Sequence, residues 1–192
     1  MRSLEGQTAL VTGGGTPLGR AIALALSARG VRIVVTGRDE KALGLTVGEV
    51  VHGGGKARHV VADVRDPAGL GTAVERALEV FGRLDIVVAA EVNDVECTFK
   101  APFLALPKQA GRLIAAVVDD GRRVTDVVLA VASEITKKGA TCNAIVVPDD
   151  TTADDAADDV AALAVFLCSR AGARITGQTI TVGPAICTPP AV

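Results

Sequence analysis

Thr12-Gly13-Gly14-Gly15-Thr16-Pro17-Leu18-Gly19 stands between two segments of opposite character. Before it, TALVT (Thr8–Thr12) is a short apolar run of the kind that forms a buried strand, and it ends in glycines. After it, PLGRAIALALSARG has helical spacing, with Pro17 where the first turn needs no N–H and Gly30 as the stop. The alternation then continues. VRIVVTG reads as a second strand, and Glu40 to His52 as a helix weakened by Gly44 and Gly48. GGGK turns the chain into a third strand, ARHVVAD; Asp66-Pro67 opens a helix to Phe81, and LDIVVAA is a fourth strand. Strand and helix alternating at this spacing give right-handed βαβ units and a parallel sheet. The expected fold class is α/β, one Rossmann-like doubly wound sheet, with 1–192 as a single domain.

The second half is less regular. Ala101 to Gln109 is a candidate short helix, and Arg112 to Val118 (RLIAAVV) is a fifth strand or the remnant of a helix. RRVTDVVLAVASEITKKG has helical spacing and a Gly139 stop. ATCNAIVV is strand-like, TTADDAADDVAALAVFLCSR is a helix, and GQTITVG is a candidate last strand. Apolar residues make up 49% of the chain, yet its aromatics are four phenylalanines, so the core must be Val, Ile, Leu and Ala. That suits strands covered by helices on both faces.

Several function classes find no support. Net charge is −2, with no clustered basic surface for nucleic acid. No apolar run reaches the roughly 18 residues of a membrane span, and no signal-type segment follows Met1, so a cytoplasmic location is expected. Cys97, Cys142, Cys168 and Cys187 are scattered, and His52 and His59 lie at no zinc spacing from them; no metal is expected. Asp154, Asp155, Asp158 and Asp159 read as a solvated helix start, where carboxylates suit the dipole.

A glycine-rich turn lets the backbone approach a pyrophosphate, and the following helix aims N–H groups at it. The second strand then delivers a residue to the ribose, where an acid would favour NAD. Here the strand ends Val35-Thr36-Gly37-Arg38. Arg38 suits a 2′-phosphate, which makes NADP(H) the expected cofactor over NAD. Asp39 and Glu40 dilute its charge, and an exposed arginine that merely opens a helix is the alternative.

Together these segments resemble the short-chain dehydrogenase/reductase family along nearly the whole chain. VTGGGTPLGRAIALALSARG is similar to its Thr-Gly-x-x-x-Gly-x-Gly opening, VVTGRDEKAL to its second strand and helix, and FGRLDIVVAA to its Phe-Gly-x-Leu-Asp stretch. ATCNAIVVP and VAALAVFLCSRAGARITGQTITVG resemble its closing segments. The resemblance implies a cofactor site of Gly13, Gly14, Gly15, Thr16, Leu18, Gly19 and Arg38. ADVRDP would place Asp63 and Val64 against the adenine, and Ala89 and Ala90 would follow the fourth strand.

The departures bear on function. Pro17 replaces the middle glycine of the loop, removing one N–H donor and adding bulk where the pyrophosphate would lie. Where the family has Asn-Asn-Ala-Gly, this chain has Ala89-Ala90-Glu91-Val92, so the asparagine that ties neighbouring strands is gone. The family's catalytic asparagine falls at Thr98. Its active site is a serine followed by Tyr-x-x-x-Lys. Aligned back from Glu134, Gly139 and Asn143, the tyrosine falls near Val117 and the lysine near Gly121. The chain instead runs from RLIAAVV through Asp119-Asp120-Gly121 into the helix, so the fold is expected to be shortened there. There is no tyrosine anywhere. Lys137 and Lys138 sit at the far end of the helix and are no substitute.

Three functions follow from these residues. A catalytically degenerate member would keep the fold and a cofactor, acting as a binding or regulatory protein. Its expected state is a homo-oligomer, or a hetero-oligomer with an active relative. An enzyme of altered chemistry would use Glu91, Asp94, Asp119 or Asp120 as acid and base for isomerisation, dehydration or cyclisation, the alternative being solvated loop acids. A weak NADP-dependent oxidoreductase would replace the tyrosine by water, Thr98 or a carboxylate.

Overall fold

The computed structural model describes residues 4–90, 111–118 and 122–183. Its strands are β1 (Thr8–Thr12), β2 (Arg32–Gly37), β3 (Ala57–Val61), β4 (Ile86–Ala89), β5 (Arg112–Val118), β6 (Thr141–Val147) and β7 (Thr179–Thr181). They form one sheet in the order β3-β2-β1-β4-β5-β6-β7, and every neighbouring pair is parallel. The described helices are α1 (Pro17–Ser27), α2 (Glu40–His52), α3 (Pro67–Phe81), α4 (Arg122–Ile135) and α5 (Ala153–Cys168).

The strand sequences explain the layers. Successive side chains point to opposite faces, and here both faces are apolar. Ala9 and Val11 join the core beneath α1, α2 and α5, while Leu10 joins the core beneath α3 and α4. Side-chain caps start the helices. Thr16, Asp39, Asp66 and Thr152 each accept a backbone N–H from the first turn that follows. Pro17 and Pro67 sit just inside α1 and α3. Asp154 and Asp155 lie in the first turn of α5, where the Thr152 hydroxyl accepts from Asp155 N–H and donates to its carboxylate. Helix α1 ends at Ser27, earlier than the Gly30 stop, because Ala28 to Gly30 form turns that lead into β2.

Arg112 to Val118 is a strand, paired with β4 on one side and β6 on the other. Three residues, 119–121, separate it from α4. The candidate helix Ala101 to Gln109 lies outside the described residues. Among the described residues, no helix is long and apolar enough to cross a membrane, and no group of three or more metal-ligating side chains comes together.

The N-terminal end of the sheet is held by a buried carboxylate. Asp85 accepts the β1 N–H of Thr8 at 2.9 Å and both Arg83 Nε and Nη2, at 2.7 and 2.6 Å. The opposite, C-terminal end carries the glycine loop. The strand order reverses at β1 and β4, and an open α/β sheet leaves its ligand crevice at such a point.

Candidate nucleotide site

The loop after β1 folds tightly because its glycines allow close approaches. Gly13 takes φ +61°, a left-handed conformation that favours glycine. A Cβ on Gly14 would stand 2.4 Å from the Val35 Cβ, and one on Gly19 only 2.1 Å from the Gly13 carbonyl oxygen. The loop therefore lies directly on β2, and α1 seats directly on the loop. Gly14 N–H also donates to Thr36 O at 3.1 Å.

Thr16 organises the start of α1. Its hydroxyl donates to Gly13 O at 2.8 Å and accepts from Gly19 N–H at 3.2 Å. Its own N–H goes to Gly13 O. Pro17 occupies the first helical position, where a missing N–H breaks no helical bond. The donor this turn offers outward is then Leu18 N–H.

This loop and the end of β2 enclose a pocket of about 890 Å³. Gly13, Gly15 and Thr16 form one wall, and Gly37, Arg38 and Lys41 the other. The structure thus brings together the loop and the arginine that the sequence singles out. Asp39 turns its carboxylate to Ala42 N–H at 3.1 Å, as the cap of α2. Glu40 lies 4.0 Å from His59 Nε2. Of the two acids beside Arg38, Asp39 is thus engaged as a helix cap.

Asp63 stands at the C-terminal end of β3, next to β2, where Ala62 N–H bonds Gly37 O. Its carboxylate accepts the backbone N–H and guanidinium of Arg65. These bonds, with a smaller pull from Arg38, hold its pKa well below the usual carboxylate range. Val64 is buried in the core beneath α3. Ala89 and Ala90 are buried, with Ala89 opposite Thr12 in register. The hydroxyls of Thr12 and Thr36, also register partners, are buried without a hydrogen-bond partner among the described residues. Glu91, Asp94, Thr98, Asp119 and Asp120 lie outside the described residues.

One brace escaped the sequence reading. Thr46, on the buried stripe of α2 with Leu43 and Val50, donates its hydroxyl to Gly14 O at 2.8 Å. The available signal was a lone polar residue in an apolar helical stripe.

Residues 7–101, about half of the chain, match the family model for short chain dehydrogenase. This half of the chain belongs to the short-chain dehydrogenase family. It is similar to versicolorin reductase stcU of Emericella nidulans, 42% identical over 85 residues, which cover 44% of this chain and 32% of that protein. It is also similar to hydroxynaphthalene reductase-like protein Arp2 of Metarhizium anisopliae, 38% identical over 95 residues, covering 49% and 36%. The chain thus spans about a third of the length of these curated relatives. Among solved structures, a short chain dehydrogenase from Burkholderia cenocepacia in complex with NADP superposes with a TM-score of 0.84. It is 25% identical, over 95% of this chain and 98% of that one. The citronellol catabolism dehydrogenase AtuB of Pseudomonas aeruginosa superposes at 0.79 with 23% identity, covering 94% and 95%, and shows the shared fold. The doubly wound sheet is therefore that of the short-chain dehydrogenases.

Proposed function

We propose that this short-chain dehydrogenase relative holds NADP(H) between its glycine loop and Arg38, and acts as a binding or regulatory protein rather than an efficient reductase. The observation that carries the reading is the pairing of a pocket between the glycine loop and Arg38 with a chain that has no tyrosine. Leu18 N–H and the helix start suit the pyrophosphate, and the Arg38 guanidinium suits a 2′-phosphate. The reductase names of the relatives and the NADP of the Burkholderia structure support a nicotinamide cofactor, which when bound supplies or takes a hydride. A ketone reduced by that hydride needs a proton from a positioned acid, worth about 10²–10⁴-fold in rate. The family supplies it from tyrosine, whereas the position aligned with it falls near Val117, at the end of β5. An oligomer, with itself or an active relative, fits the same reading, since α4 and α5 expose Leu129 and Phe166.

Calorimetric titration with NADPH and NADH, on wild type and Arg38→Ala, tests the reading. NADPH is expected to bind in the micromolar range, and Arg38→Ala to lose about tenfold in NADPH affinity while NADH changes little. With aryl ketones, turnover should stay far below about 1 s⁻¹. Binding of neither nucleotide, or turnover at ordinary reductase rates, overturns it.

A further inference from the structure

Thr46 is buried on the face of α2 that carries Leu43 and Val50, where an apolar side chain would pack without a polar atom to satisfy. Its hydroxyl has two carbonyls in reach. Ala42 O, one turn back on the same helix, lies at 3.3 Å and is the partner a helical threonine ordinarily takes. Gly14 O lies closer, at 2.8 Å, although it is 32 residues away in the chain. The hydroxyl therefore serves the glycine loop more than its own helix.

Gly14 is held at both of its polar groups. Its N–H goes to Thr36 O at 3.1 Å, and its carbonyl accepts from Thr46. A Cβ on Gly15 would stand 2.8 Å from Ala42 Cβ, so the loop rests on the stripe of α2 formed by Ala42 and Thr46. The Gly14–Gly15 peptide is trans, and in a trans peptide the C=O and N–H point to opposite sides. With the Gly14 carbonyl drawn to Thr46, the Gly15 N–H points away from it. Gly15 is exposed and lines the pocket, and its N–H has no acceptor among the described residues. Pro17 leaves the start of α1 one donor short, so the direction of this N–H matters more here.

Resting on the nucleotide reading above, we propose that Thr46 is a positioning residue of the nucleotide site. By holding the Gly14 carbonyl, it fixes the plane of the Gly14–Gly15 peptide, and with it the Gly15 N–H that the loop offers to a bound nucleotide. Thr46 itself lies outside the pocket lining and acts only through that peptide. Without the hydroxyl the peptide is free to turn, and the donor is presented for only part of the time.

The test is titration with NADPH on wild type, Thr46→Val, Thr46→Ala, Thr46→Ser and Glu49→Gln, at a temperature where circular dichroism shows each to be folded. Thr46→Val and Thr46→Ala both lose the donor, and either should weaken NADPH by about threefold to tenfold, the worth of one hydrogen bond. Thr46→Ser keeps the hydroxyl and should stay within about twofold of wild type. Glu49→Gln breaks the exposed fork from Arg20, a second link between α1 and α2, and should also stay within about twofold. In the free protein, the Gly15 amide resonance should move in Thr46→Val and hold its place in Thr46→Ser. The inference is overturned, with the nucleotide site left standing, by any of three results. These are Thr46→Val and Thr46→Ala variants that bind NADPH as wild type does, a Thr46→Ser or Glu49→Gln variant as weak as Thr46→Val, or a Gly15 resonance indifferent to the valine. No heat from NADPH on wild type overturns the nucleotide site, and this inference with it.

Discussion

Alanine at Gly19 and at Gly44 should change stability in opposite directions. At Gly19 the new Cβ would stand 2.1 Å from Gly13 O, 2.7 Å from Gly13 C and 3.1 Å from Gly14 Cα. Even a favourable C···O contact needs about 3.3 Å, so loop and helix must part by roughly 1 Å. The atoms in the way are backbone and cannot rotate aside. Moving them strains two Thr16 bonds to Gly13 O and the Gly14 bond to Thr36 O. Overpacking of about 1–3 kcal/mol, plus one or two weakened hydrogen bonds at about 1 kcal/mol each, gives a loss of about 2–5 kcal/mol. Gly44 lies in the middle of α2, exposed, with nothing within 4 Å of its Cβ position. Alanine there should gain about 0.5–1 kcal/mol through helix propensity alone. The chain has neither tryptophan nor tyrosine, so urea unfolding is best followed by far-ultraviolet circular dichroism. At about 2–4 °C per kcal/mol for a chain of this size, the Tm values of the two variants should differ by roughly 10 °C. Gly19→Ala should also lose NADPH binding at temperatures where it is still folded. If Gly19→Ala unfolds within about 0.5 kcal/mol of wild type, the loop does not pack as described and the argument fails.

Other perturbations probe the rest of the fold. Asp85→Ala leaves the buried Thr8 N–H without its acceptor and Arg83 without its partner, so it should cost about 2–4 kcal/mol in urea unfolding; a smaller change would mean the clamp is dispensable. Arg112 is buried at the start of β5, with its Nη1 on Gly111 O and its Nε without a partner among the described residues. Arg112→Met should therefore raise stability by about 1–3 kcal/mol in the same assay, and a fall would show that the guanidinium is held better than its contacts suggest. Burial pushes the thiols of Cys142 and Cys168 up to about 12. Their raised folded pKa means the stability is complete below the unfolded thiol pKa and declines as pH rises from there toward 12. At pH 10 each thiol should cost about 2 kcal/mol relative to pH 7, and Cys168→Ala should remove its share of that slope. A slope identical in wild type and variant would contradict the burial.

The sheet was legible because each element carries its own local signal. Asp39-Glu40, Asp66-Pro67 and Thr152 mark helix starts, since their caps are made within three residues. Strands buried on both faces read as continuous apolar runs, as in RLIAAVV and CNAIVV. Edges were less clear. GQTITVG pairs only at Thr179–Thr181, and nothing within the segment says how far β6 will accompany it. The ambiguity of Arg112–Val118 was real, because a short apolar run is compatible with either structure until its neighbours are placed. The site was legible only in its glycines and Arg38. Thr46 braces the loop across 32 residues, and Asp85 holds Thr8 across 77. Such contacts depend on which strands become neighbours, and no local pattern records that.

The two ends of the sheet do different work. Asp85, Arg83 and the Thr8 N–H tie the N-terminal end, far from the ligand crevice. One core runs beneath α1, α2 and α5 and the other beneath α3 and α4. The family's catalytic serine, tyrosine and lysine belong to the segment at the C-terminal end, around the passage from β5 to α4. On the reading proposed above, a chain shortened there would still keep both described cores. The glycine loop is different. Gly14, Gly19 and Thr16 serve the packing of β1, β2 and α1 as much as any nucleotide. Their presence is therefore weak evidence of a working cofactor site, whereas Arg38 contributes nothing to the core and is exposed at the pocket wall. The 2′-phosphate reading stands or falls with Arg38, which is why its substitution is more informative there than any change in the glycines.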